Sequence, residues 1–399
     1  LLFFIIRPPQ TSTRDSIRRQ RQMCIRDSIV IAGGGTGGHL FPGITVAREY
    51  LLRNPDNRLI FVSTGNPFER SALAAAGFEL ERINVAGIKG RGLWKKIRSL
   101  SLIPSATGRA IRILRSFRPD LVVGVGSYAA GPVVLAAWLM RIKIVLLEQN
   151  ILPGITNRTL ARFASRIYLS FAESAGRFDP AKVRITGNPV RHEILLKSTS
   201  ATQVDTAAAA DSRILNILII GGSQGAHPIN VAMIDALDHL NRKDRLCIVH
   251  QTGPADEVRV SKAYAAQGID STVRSFFNDM DQRYHSADLI ICRAGATTVG
   301  EVTAIGKGVI FVPFPQAADN HQVLNARALE AEGAAEVIEQ RDLSPALLAG
   351  RIDWYAENRG ALERMSQNAK RFGKPTAARE IVDDMYELLN GKEIEGLGN

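Results

Sequence analysis

The chain has 399 residues, which is longer than one ordinary domain, and its 45% apolar and 22% charged residues are typical of a globular protein. Disorder is therefore excluded as the main state. Fifty Lys and Arg against 39 Asp and Glu leave a net charge of +11, which favours an anionic partner: nucleic acid, a phospholipid surface or a phosphorylated substrate. Cys24, Cys247 and Cys292 lie far apart, so neither a disulfide framework nor a zinc site is supported, and a reducing cytoplasm fits best.

Residues 1–27 begin with six apolar residues, too few to span a bilayer, and Arg7, Pro8 and Pro9 follow at once. A secretory signal carries its positive charge before the apolar stretch and a small-residue cleavage site after it, whereas here the charge comes second. We interpret 1–27 as a non-native or disordered leader outside the fold.

The predicted fold begins with a β-branched run at 28–32, which is typical of a buried parallel strand. A glycine loop at 33–43 and apolar residues at helical spacing follow. The same order of strand, glycine loop and helix recurs at 214–220, 221–226 and 229–240. Further strands are predicted at 59–63, 121–126, 144–150, 289–292 and 309–314, each followed by a helical stretch. The pattern predicts an α/β protein with two Rossmann-like doubly wound domains that face each other across a cleft, with the ligand between them.

The domain boundary is predicted near Gly187, Asn188 and Pro189, which interrupt the alternation before a polar, alanine-rich linker at 198–212. This divides the chain into an N-terminal domain at 28–188 and a C-terminal domain at 189–372. The last segment, 373–399, is predicted to be a helix that packs back on the N-terminal domain.

The glycine loops suggest a site for a diphosphate, because glycine permits close backbone approach and a helix N-terminus offers free N–H groups. Gly33, Gly35 and Gly38 also match GxGxxG, a weak signal by itself. A dehydrogenase is disfavoured, since Ser63 and Thr64 stand where the acidic ribose ligand of a nicotinamide site is expected. The alternative is that these glycines only make tight turns. That alternative explains a single glycine loop, but it explains a second loop of the same design less readily.

The segment 87–118 carries nine basic residues and no acidic one, interleaved with apolar residues such as Ile111, Ile113 and Leu114. Such a mixture predicts docking on an anionic membrane surface. The alternative is a solvated helix face over an ordinary core. Nucleic acid is set aside, because no recognised binding motif is present. The basic residues are Lys89, Arg91, Lys95, Lys96, Arg98, Arg109, Arg112, Arg115 and Arg118.

Seven motifs resemble those of the MurG family of peptidoglycan glycosyltransferases, over about residues 28–390. They are GGGTGGHLFPG at 33–43, GSYAAGP at 126–132, LEQN at 147–150, TGNPVR at 186–191, GGSQGA at 221–226, CRAGATTVGE at 292–301 and VPFPQAADNHQ at 312–322. The resemblance implies a GT-B fold and an inverting hexosyltransferase that moves N-acetylglucosamine from UDP-N-acetylglucosamine to undecaprenyl-diphosphate-linked muramoyl-pentapeptide (lipid I), making the β-1,4 bond of lipid II. It also implies no cofactor, peripheral attachment to the cytoplasmic face of the cell membrane, and other cell-wall synthesis proteins as candidate partners.

The resemblance also assigns substrate-binding residues. They are Thr36, Gly37, Gly38 and Asn150 in the N-terminal domain, and Arg191 just after the predicted domain boundary. In the C-terminal half they are Ser223 at the diphosphate, Phe277 at the uracil, Gln322 at the sugar hydroxyls, and Ala296, Thr297, Thr298, Val299, Gly300 and Glu301 along the nucleotide, with Glu301 suited to the ribose diol. The chain departs from the family pattern at Ser127, Ala130 and Gly300, where Gly, Ser and Ser are common.

His39 is the best candidate for the base that takes the acceptor hydroxyl proton, because the positive end of a helix favours a neutral imidazole. The alternative is that His39 only orients the loop. No metal is expected: Asp279 and Asp281 are spaced like a metal dyad, but solvated loop acids explain them better. Other functions left open are a diacylglycerol glycosyltransferase, a UDP-N-acetylglucosamine 2-epimerase-like enzyme and a non-catalytic nucleotide-sugar-binding module.

Overall fold

The computed structural model describes residues 26–85, 93–196, 214–222 and 224–395, with the backbone alone for 93–102, 318 and 391–395. In the described N-terminal half, seven parallel strands form one sheet in the order β3-β2-β1-β4-β5-β6-β7. They are β1 (Ser28–Ala32), β2 (Arg58–Ser63), β3 (Leu80–Arg82), β4 (Leu121–Gly124), β5 (Lys143–Glu148), β6 (Arg166–Leu169) and β7 (Val183–Ile185). β1 is buried along its whole length, as its run of β-branched residues predicts.

Helices connect these strands on both faces of the sheet. They are α1 (Gly37–Arg53), α2 (Pro67–Ala76), α3 (Leu93–Phe117), α4 (Ser127–Leu139) and α5 (Ile155–Leu160), with 3-10 turns at Ala161–Phe163, Ala172–Arg177 and Pro180–Lys182. A short helix, α6 (His192–Leu195), follows β7. The start of α2 follows from local chemistry: Asn66 and Glu69 form a reciprocal capping box and Pro67 occupies the first turn.

Helix α3 corrects part of the prediction for the basic segment. Leu114 is fully buried in the core of the N-terminal half, so it is not available to a membrane, and Ile111 and Ile113 are partly buried against the same core. The basic residues Arg109, Arg112, Arg115 and Arg118 are exposed. Lys89 and Arg91, and the side chains of Lys95, Lys96 and Arg98, lie outside the described residues.

Six parallel strands of the described C-terminal half form a second sheet in the order β10-β9-β8-β11-β12-β13. They are β8 (Leu215–Ile220), β9 (Leu246–Gln251), β10 (Asp270–Arg274), β11 (Leu289–Cys292), β12 (Gly308–Phe311) and β13 (Glu336–Val337). The helices are α7 (His227–Ala236), α8 (Glu257–Ala266), α9 (Met280–Ser286), α10 (Ala296–Ile305), α11 (His321–Ala331), α12 (Pro345–Glu357) and α13 (Arg359–Phe372), with 3-10 turns at Leu237–His239, Lys243–Arg245 and Ala318–Asn320. Both sheets have the predicted doubly wound α/β class.

The final helix, α14 (Ala377–Glu395), returns to the N-terminal sheet and packs against α1. The Tyr386 ring stacks on Tyr50 at 5.7 Å, and its hydroxyl accepts a 2.6 Å hydrogen bond from Asn57. On the same helix, Asp384 accepts a 2.8 Å hydrogen bond from the Tyr168 hydroxyl. The chain therefore joins its two halves twice, near residue 190 and again before α14. Within the described ranges, every helix is too short or too polar to cross a lipid bilayer.

Candidate functional site

The first glycine loop fits only glycine at its turn. Gly33, Gly34 and Gly35 have φ angles of 121°, 150° and 88°, which side chains rarely adopt. A Cβ at Gly33 would lie 2.3 Å from the Gly126 carbonyl oxygen. Thr36 precedes α1 in an extended conformation, and its side chain does not cap the helix. The first N–H groups of α1 therefore remain available to an anion, at the positive end of the helix dipole.

A buried carboxylate, Glu69, is hydrogen-bonded to the backbone of this loop. Its Oε1 accepts hydrogen bonds of 2.5 Å from the Gly35 N–H and from the Ser63 hydroxyl. Its Oε2 accepts from the Thr64 hydroxyl at 2.8 Å and from the Asn66 N–H at 2.9 Å. Burial raises the pKa of Glu69, but these four hydrogen bonds outweigh burial and leave the pKa below its ordinary value. The side chain thus remains ionised and ties β2 and α2 to the loop.

The second glycine loop, after β8, is equally tight. Gly222 and Gly225 have φ angles of 85° and 77°, and a Cβ at Gly225 would lie 1.9 Å from the Thr252 carbonyl oxygen. Gln251 links this loop to the predicted uracil site: its Nε2 donates to the Gly222 carbonyl at 3.1 Å, and its Oε1 accepts from the Phe277 N–H at 3.0 Å. A backbone contact of Phe277 to a base would therefore use its carbonyl oxygen. Ser223 lies outside the described residues.

The N-terminus of α10 meets that of α1 across the cleft. The Thr297 hydroxyl donates a 3.3 Å hydrogen bond to the Gly38 carbonyl oxygen. Two positive helix ends from opposite halves of the chain thus converge at one place. Of the predicted residues on α10, Thr297 and Thr298 are half-exposed, whereas the Ala296 and Val299 side chains are buried, so those two can reach a ligand only through their backbone.

The departure from the family pattern at Gly300 has a structural counterpart. A Cβ at this position would lie 3.2 Å from both Cβ and Nδ2 of Asn188, a residue of the predicted domain boundary. Glycine therefore lets α10 approach the boundary segment closely. At the other departure, Ser127 has a φ of 63° and its hydroxyl accepts a 3.3 Å hydrogen bond from the Gly34 N–H, while Ala130 is buried in the core.

Arg191 and Glu301, both predicted to contact the donor, are bound to each other. The Arg191 Nε lies 2.8 Å from Glu301 Oε1, and the Tyr284 hydroxyl donates to Oε2 at 3.1 Å. The guanidinium also stacks over the Phe41 ring of α1 at 5.2 Å. Burial lowers the pKa of Arg191, but the Glu301 carboxylate outweighs it and raises the pKa overall. Because both Glu301 oxygens are engaged, a ribose bound here would have to share or replace these partners.

Asn150 meets the C-terminal half through Asn325, a fully buried residue of α11. The Asn325 amide nitrogen donates to Asn150 Oδ1 at 3.2 Å, and its oxygen accepts from the Ile151 N–H at 3.2 Å. One turn earlier, on the same helix, Gln322 uses its Oε1 to accept from the Phe314 N–H at 3.0 Å. The predicted sugar-binding helix is therefore anchored directly to the loop after β5.

His39 lies in the first turn of α1 and is half-exposed. Its Nδ1 is 3.0 Å from Oε1 of Gln149, the residue before Asn150. In the described ranges, no cluster of three or more His, Cys, Asp or Glu is arranged to hold a metal ion.

The sequence motifs did not indicate four residues that hold the site together: Glu69, Gln149, Gln251 and Asn325. The N-x-x-E pattern at 66–69 is a recognisable capping signal, and Gln149 stands inside the LEQN motif. The amide side chains of Gln251 and Asn325 carry no comparable local signal.

Two parallel-sheet α/β domains with glycine loops and helix N-termini converging on one cleft define the GT-B architecture of nucleotide-sugar enzymes. Residues 29–169 match the glycosyltransferase family 28 N-terminal domain, and residues 216–381 match the glycosyltransferase family 28 C-terminal domain. The chain belongs to glycosyltransferase family 28.

The relatives agree with this assignment. The chain is 47% identical over 362 residues to the UDP-N-acetylglucosamine--N-acetylmuramyl-(pentapeptide) pyrophosphoryl-undecaprenol N-acetylglucosamine transferase of Anaeromyxobacter sp. (strain Fw109-5), covering 90% of this chain and 93% of that protein. It is similar to the crystal structure of Acinetobacter baumannii MurG, with a TM-score of 0.72 and 31% identity over 90% of this chain and 99% of the other. The UDP-GlcNAc 2-epimerase of Neisseria meningitidis (TM-score 0.64, 14% identity, covering 91% and 100%) shares the fold alone.

Proposed function

We propose that the chain transfers N-acetylglucosamine from UDP-N-acetylglucosamine to the C4 hydroxyl of the muramoyl sugar of lipid I, producing lipid II and UDP. The observation that carries this proposal is the meeting of the α1 and α10 N-termini at the Thr297–Gly38 contact. It provides unpaired N–H groups and two positive dipole ends where a leaving diphosphate needs stabilisation. Relatives at 43–47% identity that are named for this transfer reaction support the same donor and acceptor.

In the proposed reaction, His39 takes the proton of the acceptor hydroxyl as its oxygen attacks the anomeric carbon. The bond from that carbon to the UDP oxygen breaks, and UDP leaves with the electron pair. Attack opposite the leaving group inverts the anomeric centre and gives the β-1,4 product. A positioned general base contributes about 10²–10⁴-fold to rate, so the helix ends that bind the diphosphate must supply the larger share of catalysis.

The proposed donor site uses the C-terminal half. Gln322 holds the sugar hydroxyls, Ser223 and the second glycine loop hold the diphosphate, and the Phe277 backbone holds the uracil. Glu301 accepts from the ribose diol, and Arg191 moves from that carboxylate toward the diphosphate, where its charge is complementary. Asn150 completes the donor site from the opposite side of the cleft.

The acceptor is a lipid, and we propose that the outer face of α3 docks on the anionic cytoplasmic face of the membrane. Arg109, Arg112 and Arg115 are exposed there. Helix α4 packs against α3 and adds Trp138 and Leu139, which are 48% and 56% exposed at its C-terminal end. Exposed basic side chains on one helix and exposed apolar side chains on the helix packed against it suit an anionic interface.

The transfer is tested by incubating the protein with UDP-[¹⁴C]N-acetylglucosamine and a lipid I analogue, then counting label in the lipid fraction. We expect labelled lipid II and stoichiometric UDP. Parallel reactions with diacylglycerol as the acceptor, and with donor alone analysed for UDP-N-acetylmannosamine, test the other two enzymes. Product in either of those reactions, with none from lipid I, would refute the proposal.

Membrane docking is tested by flotation with vesicles that contain anionic or only zwitterionic phospholipid. Arg112→Gln should weaken binding to the anionic vesicles about fivefold, from roughly 1 kcal/mol per basic residue near such a surface. Arg364→Gln, an exposed arginine on α13, is the matched control and should bind as wild type does. Equal binding to both kinds of vesicle would exclude electrostatic docking.

A further inference from the structure

Gln149 is an amide side chain buried directly under the candidate base. It follows β5 at the carboxyl end of the N-terminal sheet and is 1% exposed. Its Oε1 and the Nδ1 of His39 are 3.0 Å apart. The imidazole is also confined by the backbone, since a Cβ at Gly126 would lie 2.9 Å from Nδ1. The ring therefore faces Gln149 in a packed position.

The orientation of the Gln149 amide is set by its surroundings. Its Nε2 donates to the Val125 carbonyl at 3.3 Å and to the Leu147 carbonyl at 3.4 Å. The reverse orientation would place Oε1 against these two carbonyl oxygens and leave the amide nitrogen toward the imidazole. Two buried hydrogen-bond acceptors in contact, with no donor between them, are strongly disfavoured. Oxygen, and not nitrogen, therefore faces His39.

An oxygen opposite Nδ1 requires that Nδ1 carry the imidazole proton, and the lone pair of the neutral ring is then on Nε2. We propose that Gln149 is a positioning residue that holds His39 in the tautomer whose Nε2 can accept a proton. The inference rests on the proposed role of His39 as the base. A neutral amide fixes the tautomer through this hydrogen bond alone, without placing a charge beside the ring.

The tautomer is measured directly by ¹⁵N NMR of the full chain with labelled histidine, at a pH where the ring is neutral. The His39 signals are assigned by their absence from His39→Ala. We expect a protonated Nδ1 and an unprotonated Nε2 in the wild type. A proton on Nε2 in the wild type would overturn the inference without any variant.

Gln149→Met retains volume and removes both polar atoms. We expect the His39 tautomer to shift toward Nε2–H and kcat to fall about three- to tenfold, the range set by the loss of one hydrogen bond, with KM for UDP-N-acetylglucosamine within about twofold. A wild-type tautomer in folded Gln149→Met would overturn the inference, and the measurement on the wild-type protein tests it independently if that variant does not fold.

Gln251→Met is the matched control, because Gln251 is a buried glutamine at the end of a strand in the other half of the chain. It should leave the His39 tautomer unchanged, and a shift there as well would contradict a specific role for Gln149. The positioning role of Gln149 and the base role of His39 can be refuted separately. If Gln149→Met changes the His39 tautomer while kcat stays at the wild-type value, the positioning role is supported and the base role is refuted.

Discussion

Replacing Glu69 by Gln should loosen the first glycine loop while leaving the fold intact. Each Glu69 oxygen accepts from one backbone N–H and one hydroxyl. In the variant, one of these oxygens becomes an NH₂ group. A hydroxyl can rotate to accept from that group, but the backbone N–H of Gly35 or of Asn66 cannot, so one buried amide loses its partner.

The expected cost is about 2 kcal/mol, because an unsatisfied buried polar group costs about 1–3 kcal/mol. If the lost hydrogen bond destabilises only the closed loop, the equilibrium constant for local loop opening rises about 30-fold. The dependence of folding stability on pH should also change at acid pH. A carboxyl whose pKa is lowered by folding contributes stability above its ordinary value of 4.5, and this contribution is lost as the pH falls through the lowered folded pKa. Glu69→Gln removes that dependence.

Hydrogen exchange measured by mass spectrometry on the peptide that contains residues 33–40 gives the local readout. Glu81→Gln is the matched control, since Glu81 is an exposed carboxylate on β3 and its loss should change exchange little. Donor affinity should fall in Glu69→Gln alone. Exchange in Glu69→Gln within about threefold of wild type would refute the claim that this carboxylate holds the loop.

Three further predictions concern other parts of the molecule. His39→Ala should reduce kcat about 10²–10⁴-fold in the lipid I assay, and a loss below about threefold would remove its role as the base. Asn325→Ala breaks the link from α11 to Asn150 and Ile151, so kcat/KM for UDP-N-acetylglucosamine should fall about tenfold in steady-state kinetics, whereas an unchanged value would show that the link is dispensable. Burial lowers the pKa of His250 to about 3 from its ordinary value of 6.5, so the unfolded chain binds a proton that the folded chain does not. Stability should therefore fall by about 2 kcal/mol between pH 7 and pH 5 in urea denaturation, and His250→Gln should reduce this slope; an unaltered slope in the variant would contradict a neutral, buried His250.

Glycine loops were predictable because a positive φ and close backbone approach limit the residue type locally. The turn at Gly33–Gly35 and the start of α1 follow from consecutive residues, as does the alternation that gives two doubly wound sheets. The buried face of α3 was also predictable from spacing. Ala106, Ala110 and Leu114 recur every four residues and are all buried, which is the helical signature of a core face.

Contacts between residues distant in sequence were not predictable in this way. The Arg191–Glu301 ion pair joins residues 110 positions apart, and nothing local to either residue indicates that each is the other's partner. The Gln149 amide is similar: its orientation depends on the Val125 carbonyl, which β4 brings alongside β5. A side chain with two chemically different ends has no defined direction until the fold surrounds it.

Two consecutive residues after β5 serve opposite sides of the cleft. Gln149 points back into the N-terminal half and binds His39, whereas Asn150 points across the cleft and binds Asn325 on α11, the helix that carries Gln322. The two residues that follow β5 therefore contact both the candidate base and the helix that carries the candidate sugar-binding residue. These contacts in opposite directions from adjacent residues give a physical reason for the LEQN motif to be contiguous.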